Sequence, residues 1–518
     1  MADTMPRPAH ETGTVAGGAL GPKLAAALRG PGPAAVTAPV PGAVAAVPQP
    51  APAAVSGRAG VLPVGFDVIE DLRGRVAAQL SEESLRGENA ALSAADVRQL
   101  GLRLVKQVVA EWATHYATTV RLLSGEEEQA IRAAVVDALF RAGRLQPLLD
   151  DPAVENILID GCDQVFVDYV DRPAAPVAPI AGSDSQLVNL INQLARNQGQ
   201  GERALTPATP NLNLRLADGS RLAASYLVTP RPHVVIRKHR MRQSHLKDLV
   251  AWGTIDSALE QFLLALVKAR KNVVIAGSQG VGKTSLLRAM AREIAAGERV
   301  GTLESEYELF LHELDGGPTV VAYEAREGNG ERSADGRMAG ELTLSDLFPQ
   351  LLRMSLRRVI VGEVRSIEVV PMLHAMNEGE GGSMCTVHAR TAHSVVERLV
   401  TLCLEAGIGM TEALAHRLIA NAVDFIVYVR LVDETEVGGR KWRFVSHVVE
   451  VTGLGEGGRP ALQTVFGPKE EAGRREPRAV PLLAPVCLPD LERAGFHRGW
   501  LQQPFGAWTS DMKTVMPL

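Results

Sequence analysis

The sequence predicts an α/β protein whose main domain is a doubly wound, mainly parallel sheet that carries a phosphate-binding loop. Two observations support this fold class. From residue 271 onwards, short apolar runs rich in β-branched residues alternate with stretches of helical periodicity. One such run, residues 272–276, leads directly into residues 277–284, which fit the pattern G-x-x-x-x-G-K-[ST]. A smaller α/β N-domain and a helical segment are predicted ahead of this domain.

The glycine-rich loop is predicted to bind the phosphates of a nucleoside triphosphate. The backbone N–H groups of such a loop, together with the N-terminus of the helix that follows, point at a polyphosphate. We expect Lys283 to reach the β- and γ-phosphates and the Thr284 hydroxyl to hold Mg²⁺. The predicted nucleotide-binding residues are Gly277, Ser278, Gln279, Gly280, Val281, Gly282, Lys283, Thr284 and Ser285.

Composition narrows the range of functions open to this chain of 518 residues. The net charge of −5 argues against a dedicated nucleic-acid binder, which usually carries a basic domain. The four cysteines are scattered without a C-x-x-C pair, which fits a reducing cytoplasm and gives no zinc cluster. No apolar run reaches the roughly 20 residues of a membrane span. A role at a membrane is therefore expected to come through a partner.

Five segments are predicted along the chain. The first is rich in Ala, Pro and Gly and cannot bury enough apolar surface to fold. The last is rich in Pro, Arg and Glu and is expected to be peripheral. The predicted boundaries are 1–64 for a disordered tail, 65–145 for a helical segment, 146–245 for the N-domain, 246–455 for the nucleotide-binding domain and 456–518 for a C-terminal extension.

Local patterns predict individual elements within these segments. Ser124 and Glu127 form a capping box at the start of a helix. Residues 183–197 have helical periodicity, and residues 212–228 are predicted to form a β-hairpin that turns at Asp218-Gly219. One or two strands beyond residue 440 are expected to complete the main domain. A linker helix is predicted from an apolar face made of Leu259, Phe262, Leu263, Leu266 and Val267.

Polar side chains that follow the predicted strands are the candidates for catalysis. Ligands of an open α/β sheet bind at the carboxyl ends of the strands, so Glu363 is expected to face the γ-phosphate and orient water. Glu304 and Glu308 follow another strand and are predicted to hold Mg²⁺, directly or through its water shell. His388 ends a third strand after a glycine-rich turn and is predicted to sense the phosphate.

Each of these side chains also has a purely structural interpretation when it is taken alone. A glutamate after a strand is commonly a solvated strand end, and a single histidine is commonly a hydrogen-bonded structural residue. The same choice applies to Arg215, Arg221 and Arg237 in the preceding domain. They are either solvated strand arginines or, like an arginine finger, supply charge to phosphoryl oxygens across a domain interface.

Taken together, the motifs resemble the ATPases of type II and type IV secretion systems and of Tad-type pilus systems, in particular the CpaF/TadA-like branch. The resemblance covers about residues 140–455 and implies a RecA-like P-loop NTPase domain. Besides the loop, it is carried by LLDDPAVENILIDG, RLADGSRLAAS, VVIRKH, TLESEYEL, LLRMSLRRVIVGEVR, MLHAMNEGEGGSMCTVHA and VVEVTG.

The resemblance also implies roles for individual residues. Lys283 and Thr284 match the family's Walker A residues, and Glu363 matches its catalytic glutamate. The remaining matches are Glu304 and Glu308 in the acidic box, His388 in the histidine box, and Arg221 and Arg237 where N-domain arginines approach the nucleotide.

At the level of the whole protein, the resemblance implies a cytoplasmic homo-hexamer that hydrolyses ATP with Mg²⁺. Such a ring docks peripherally on the inner face of the cell membrane through a platform protein, and powers pilus assembly or protein secretion. No nucleic-acid partner is expected. Two other classes share the loop, namely a RecA-like nucleic-acid translocase and a nucleotide-gated scaffold without catalysis. A GTPase is disfavoured because no N-K-x-D segment follows the loop.

The chain departs from the family's pattern at several positions. Ser305 stands where the acidic box commonly has Asp, and Glu380 stands where the histidine box usually begins with His. Arg390 replaces a frequent Asn, and residues 355–357 read Ser-Leu-Arg in place of Arg-Pro-Asp. Because Lys283, Glu363 and His388 are intact, activity is expected.

Overall fold

The computed structural model describes residues 62–85, 93–197, 204–238, 244–326, 328, 338–407, 409–471, 473–509 and 511–515. The tail predicted at 1–64 lies outside the described residues apart from its last three positions. The described residues form a helical cluster followed by two β-sheets.

Three long helices in the described part of the chain form a cluster ahead of the first sheet: α1 (Phe66–Leu85), α2 (Ala94–Thr119) and α3 (Gly125–Phe140). Their apolar faces meet in one cluster whose members include the fully buried Leu72, Val105 and Ile131. The helix predicted to begin after Ser124 does so. The Ser124 side chain accepts a hydrogen bond from the backbone of Glu127, and the Glu127 carboxylate accepts one in return. This confirms the capping box.

The N-domain is built on an antiparallel sheet whose strand order is β3-β2-β1-β6-β5-β4 in the described part of the chain. The predicted hairpin is confirmed, since β4 pairs with β5 and Gly219 in the turn has a φ of 82°. The predicted helix at 183–197 is confirmed as α5 (Asp184–Asn197), which follows the short α4 (Gln146–Asp150). The strands are β1 (Val154–Asp160), β2 (Gln164–Tyr169), β3 (Ala175–Val177), β4 (Asn211–Arg215), β5 (Arg221–Ser225) and β6 (His233–Arg237).

The main domain contains a nine-stranded sheet, counted over the described residues, in the order β15-β14-β13-β12-β7-β11-β10-β8-β9. The run from β12 to β9 is parallel, whereas β13, β14 and β15 are antiparallel additions at one edge. The strands are β7 (Val273–Gly277), β8 (Arg299–Glu304), β9 (Thr319–Glu324), β10 (Arg358–Val364), β11 (Met384–His388), β12 (Phe425–Asp433), β13 (Lys441–Leu454), β14 (Pro460–Glu471) and β15 (Arg474–Pro481).

Helices cover both faces of this sheet, as the doubly wound prediction requires. Along the central strand β7, Val273 and Ile275 pack on one face while Val274 and Ala276 pack on the other. The helices on the first face are α6 (Leu246–Ala251), α7 (Ser257–Lys268), α8 (Lys283–Ala291) and α13 (Leu488–Arg493). Those on the second face are α9 (Leu344–Leu351), α10 (Val369–Glu378), α11 (Ser394–Glu405) and α12 (Glu412–Ala422). The predicted linker helix is α7, and its apolar face is buried.

The sequence-based boundary at residue 455 is wrong for this structure. Residues 456–518 were expected to form a peripheral extension after one or two strands, but β14 and β15 continue the same sheet. Phe466, Ala479 and Phe496 are buried in the core that also holds the helix after the glycine-rich loop. The alternation of apolar residues in these strands is interrupted by charges that pair with one another, such as Arg478 with Glu476 at 2.7 Å. Because these charges are buried as a pair, the polar composition of the strands does not show that they lie in the core.

No helix within the described ranges is both long and apolar enough to cross a membrane.

Candidate nucleotide-binding site

The glycine-rich loop lies where strand β7 ends and helix α8 begins. β7 ends at Gly277 and α8 begins at Lys283. Gly277, Gly280 and Gly282 all have positive φ, at 151°, 73° and 97°, a conformation that side chains with a Cβ rarely adopt. A Cβ on Gly277 would lie 2.4 Å from the Val429 carbonyl oxygen on β12. All three glycines are therefore needed for the backbone path of the loop, and Gly277 also allows the close approach of strand β12.

Lys283 is folded back onto its own loop. Its ammonium donates to the carbonyl oxygens of Gly277 and Ser278 at 3.1 and 2.7 Å, and the side chain is only 7% exposed. Burial is the main reason that the pKa of Lys283 is lowered to about 8, and the positive charge of Arg237 adds to the effect. A bound polyphosphate would stabilise the charged form and offer the ammonium a stronger acceptor than a carbonyl.

His388 connects the loop lysine with the predicted catalytic glutamate. Its Nδ1 lies 3.1 Å from Lys283 Nζ, and its Nε2 lies 2.6 Å from Glu363 Oε1. Because the ammonium can only donate, Nδ1 must accept, and the proton of a neutral ring then sits on Nε2 beside the carboxylate. The structure thus brings Lys283, His388 and Glu363 into one chain of contacts.

Glu363 is held between two basic side chains. Besides His388, Arg365 donates from Nη2 to Glu363 Oε2. Burial by itself would raise the pKa of Glu363, but the contacts with His388 and Arg365 outweigh it and lower the pKa to about 2. At neutral pH the carboxylate is therefore ionised and able to accept a proton.

Glu304 organises the acidic segment that follows β8. The side chain is 2% exposed, and its Oε2 accepts hydrogen bonds from the backbone N–H groups of Glu308 and Leu309, both at 2.8 Å. Its other oxygen, Oε1, is buried without a hydrogen-bond partner. Burial raises the pKa of Glu304 to about 7. In the ligand-free geometry, Glu304 fixes the turn that presents Glu308.

Thr284 and Glu308 form the part of the site that fits Mg²⁺. Thr284 Oγ1 donates to Glu308 Oε2 at 3.0 Å, so a hydroxyl and a carboxylate oxygen adjoin at the start of α8. Oxygen donors of this kind are the ligands that Mg²⁺ takes alongside substrate phosphates and water. Within the described ranges, no group of three or more His, Cys, Asp or Glu side chains is arranged to hold a metal ion. Thr284 and Glu308 would supply part of the coordination shell of Mg²⁺, with substrate phosphates and water as the other ligands.

Three arginines of the N-domain form a row across neighbouring strands. Arg215 pairs in register with Arg221, and Arg221 pairs in register with Arg237. Arg221 reaches Glu306 at 2.6 Å and Glu308 at 2.5 Å. Arg215 reaches Glu324 at 3.2 Å, while Arg237 is exposed and acts electrostatically on Lys283. The row therefore faces the acidic segment and the loop from the other domain.

Three of the positions that depart from the family's pattern, Ser305, Glu380 and Arg390, lie outside the chain of contacts from Lys283 to Glu363. Ser305 is exposed next to Glu304. Glu380 precedes β11 and pairs with Arg270 at 2.9 Å, at the strand end opposite His388. The backbone oxygen of Arg390 accepts a hydrogen bond from Tyr428 at 2.5 Å. Neither of these two contacts involves Lys283, Glu363 or His388.

Sequence reasoning missed two residues at this site. Arg365, two positions after Glu363, contacts the Glu363 carboxylate, and its position in the run VGEVR was the available signal. Arg443 donates to the backbone oxygen of Gly280 at 3.1 Å, and no local pattern marks it, because it comes from a strand 163 residues away. Ser278, Gln279, Val281 and Ser285 complete the loop and the first turn of α8.

Known proteins are similar to this chain in sequence. The sequence model of a family described as type II/IV secretion system protein matches residues 143–459. A putative conjugal transfer protein of Mycobacterium tuberculosis is 33% identical over 300 residues, which cover 56% of this chain and 80% of that protein. The type IV secretion system protein VirB11 of Brucella suis is 27% identical over 334 residues, covering 59% of this chain and 88% of the relative.

Among solved structures, the VirB11 ATPase of the Brucella suis type IV secretion system, crystallised with sulphate, is similar to this chain. The match has a TM-score of 0.30 and 24% sequence identity, and it covers 59% of this chain and 91% of the other.

Proposed function

This chain belongs to the type II/IV secretion system protein family, and on that premise we propose that it is a motor that hydrolyses ATP to power pilus assembly or protein secretion. The observation that carries the proposal is the chain of contacts from Lys283 through His388 to Glu363. It joins the residue expected to hold the γ-phosphate to the residue expected to activate water.

The proposed reaction begins when a nucleotide enters the loop. The phosphates draw the Lys283 ammonium away from the Gly277 and Ser278 carbonyls. The contact of Lys283 with His388 is replaced at the same time by a contact with phosphate. His388 can then report the presence of the γ-phosphate to Glu363 through its second ring nitrogen.

Glu363 is the proposed general base. Its low pKa ensures that it is ionised at neutral pH, but a carboxylate held by two basic groups is a weak base. Release of Arg365 or His388 toward the phosphate would raise the pKa of Glu363 and increase its ability to take a proton from water. Bound Mg²⁺, held by Thr284 and Glu308, would supply charge neutralisation for the phosphates. A direct contact of Glu304 with the ion remains a prediction.

Arg221 and Arg237 are proposed to supply positive charge to the phosphoryl oxygens. Arg221 is paired with Glu306 and Glu308 and must exchange at least one of these partners to reach a phosphate. Arg237 is exposed and close enough to lower the pKa of Lys283, so it can reach a phosphate with less rearrangement than Arg221.

We further propose that the protein works as a homo-oligomeric ring in the cytoplasm, docked on the inner face of the cell membrane through a platform protein. Family membership supports this assembly, and so do the names of the relatives, which are secretion and conjugal transfer proteins. Hexameric symmetry is the form expected from the resemblance.

The experiment that tests the proposed function is steady-state ATP hydrolysis across size-exclusion fractions, with Glu363→Gln as the matched variant. We expect activity in a ring-sized fraction, indifference to added DNA, and a loss of about 100-fold or more in the variant with nucleotide binding retained. A variant that hydrolyses ATP normally would remove Glu363 as the base. Strong stimulation by DNA would instead favour a nucleic-acid translocase, and binding without turnover in every fraction would favour a scaffold.

A further inference from the structure

A side chain outside the predicted site connects the N-domain to the phosphate-binding loop. Arg443, on β13, donates from Nη2 to both carboxylate oxygens of Glu155, at 2.7 and 2.9 Å. The same guanidinium donates from Nε to the backbone oxygen of Gly280 at 3.1 Å. Glu155 belongs to β1 of the N-domain, and Gly280 is the middle glycine of the loop.

The shape of the guanidinium makes these two contacts dependent on each other. Its donors lie in one rigid plane, so the directions of the Nε and Nη2 hydrogen bonds are fixed relative to each other. A shift of the Glu155 carboxylate must turn that plane and weaken the hydrogen bond to Gly280. Arg443 and Glu155 are 23% and 25% exposed, so their charge-assisted bonds are largely shielded from water.

The contacted peptide is one whose orientation matters for phosphate binding. Gly280 has a φ of 73°, and a Cβ placed there would meet no heavy atom within 4 Å, so side-chain packing does not fix this point of the loop. In a trans peptide the carbonyl and the following N–H point in opposite directions. Holding the Gly280 oxygen therefore also fixes the direction of the Val281 N–H, and N–H groups of this loop are the ones expected to bind phosphate.

A neighbouring lysine supplies a comparison within the same interface. Lys441, two residues earlier on β13, donates to the backbone oxygen of Tyr169 at 2.9 Å and lies 3.8 Å from Glu155. It joins the same strand to the same domain, and these contacts do not include the loop. Loss of Lys441 therefore removes one contact of this interface and leaves the linkage from Glu155 through Arg443 to Gly280 in place.

We propose that Arg443 is a positioning residue that couples the placement of the N-domain to the affinity of the loop for nucleotide. When Glu155 is docked, Arg443 holds the Gly280 peptide in its phosphate-binding orientation. When the N-domain swings away, the loop loses that support, and by reciprocity a bound nucleotide favours the docked domain. The inference rests on the proposed function, because it requires that the loop binds nucleotide.

The test is a titration of the full-length protein with a fluorescent ADP analogue and Mg²⁺, together with KM and kcat for ATP. We expect Glu155→Gln, Arg443→Ala and Arg443→Lys each to raise the Kd about fivefold or more, with Glu155 acting on the loop through Arg443. The double variant Glu155→Gln with Arg443→Ala should bind the ADP analogue no more weakly than Arg443→Ala alone. Both changes break the same linkage, from Glu155 through Arg443 to Gly280. Lys441→Ala should keep the Kd within about twofold of the unmodified protein.

Melting temperatures separate this coupling from simple damage to the fold. Arg443→Lys keeps the positive charge beside Glu155 but not the planar fork, so it should lose affinity while melting within a few degrees of the unmodified protein. A Kd for Glu155→Gln within twofold of the unmodified protein, or additive effects in the double variant, would overturn the coupling alone. If the unmodified protein binds no ADP analogue, the proposed function fails as well.

Discussion

At the scale of single residues, two acids of the site, Glu363 and Glu304, have pKa values shifted in opposite directions because their surroundings differ. Glu363 touches two basic side chains, which outweigh its burial and lower its pKa to about 2. Glu304 has only backbone N–H donors and is more deeply buried, so its pKa is raised to about 7. At neutral pH Glu363 is therefore ionised, whereas Glu304 is about half protonated.

The raised pKa of Glu304 predicts how stability depends on pH. The folded protein keeps this proton up to about pH 7, whereas the unfolded chain releases it near pH 4.5, so stability falls as pH rises between those values. Glu304→Gln abolishes the titration and can still accept the two backbone hydrogen bonds. The free energy of unfolding of the variant, relative to that of the unmodified protein, should therefore increase by about 3 kcal/mol between pH 4.5 and pH 8.

Thermal melting of both proteins without nucleotide, across that pH range, checks this prediction. The melting temperature of the variant should rise relative to the unmodified protein as pH increases. A difference between the two melting temperatures that stays constant with pH would show that Glu304 is ionised throughout this range. Protonation would then not account for the buried Oε1 that lacks a hydrogen-bond partner.

At the scale of structural elements, the C-terminal strands belong to the main domain because they close its core. Phe262, on α7, packs edge-on against Phe425, Phe466 and Phe496, with ring centroids 5.7, 4.9 and 5.4 Å apart. Two of these partners lie beyond residue 455. Their removal would expose a ring that is fully buried.

We therefore predict that a chain ending at residue 455 does not fold stably. Removing Phe466 and Phe496 uncovers Phe262, and replacing one large core aromatic by alanine already costs about 3–5 kcal/mol. Soluble yield and melting temperature are the measurements. A chain lacking residues 1–61, which belong to the tail predicted at 1–64 to be disordered, is the matched control and should melt like the full protein. A soluble, cooperatively melting chain that ends at 455 would contradict the inclusion of β14 and β15 in this core.

At the scale of the whole molecule, the N-domain and the main domain face each other across the site. Arg221 crosses to Glu306 and Glu308, Arg443 crosses to Glu155, and the arginine row follows the strand register of the N-domain. The site is therefore shared between domains, and any change in their relative placement alters the charge around the nucleotide.

Arg237→Ala tests whether this sharing contributes to catalysis. Arg237 is exposed, so its removal should leave the melting temperature nearly unchanged, whereas kcat for ATP should fall by about tenfold or more, as is typical of arginines that stabilise a phosphoryl transition state. Arg196→Ala, which changes an exposed arginine on α5, is the matched control and should keep normal turnover. Unchanged turnover per folded molecule in Arg237→Ala would end the proposal of an arginine acting from the other domain.

Local patterns were sufficient wherever adjacent residues decide the structure. The capping box at Ser124, the hairpin at Asp218-Gly219 and the loop between β7 and α8 depend on residues close in sequence, and the structure contains all three. The predicted end of the main domain was wrong because Phe466 and Phe496 are core residues only through their packing against Phe262, some 200 residues earlier. Arg443 escaped notice for the same reason.

The sequence by itself determined the fold class and the identity of the candidate loop, because strand periodicity, glycine spacing and helix propensity are short-range properties. Only the tertiary structure decided that Lys283, His388 and Glu363 form one chain of contacts and that Arg443 ties Gly280 to Glu155. Such contacts depend on how strands from distant parts of the chain are ordered in a sheet and how two domains are placed. Neither local propensity nor spacing encodes that arrangement.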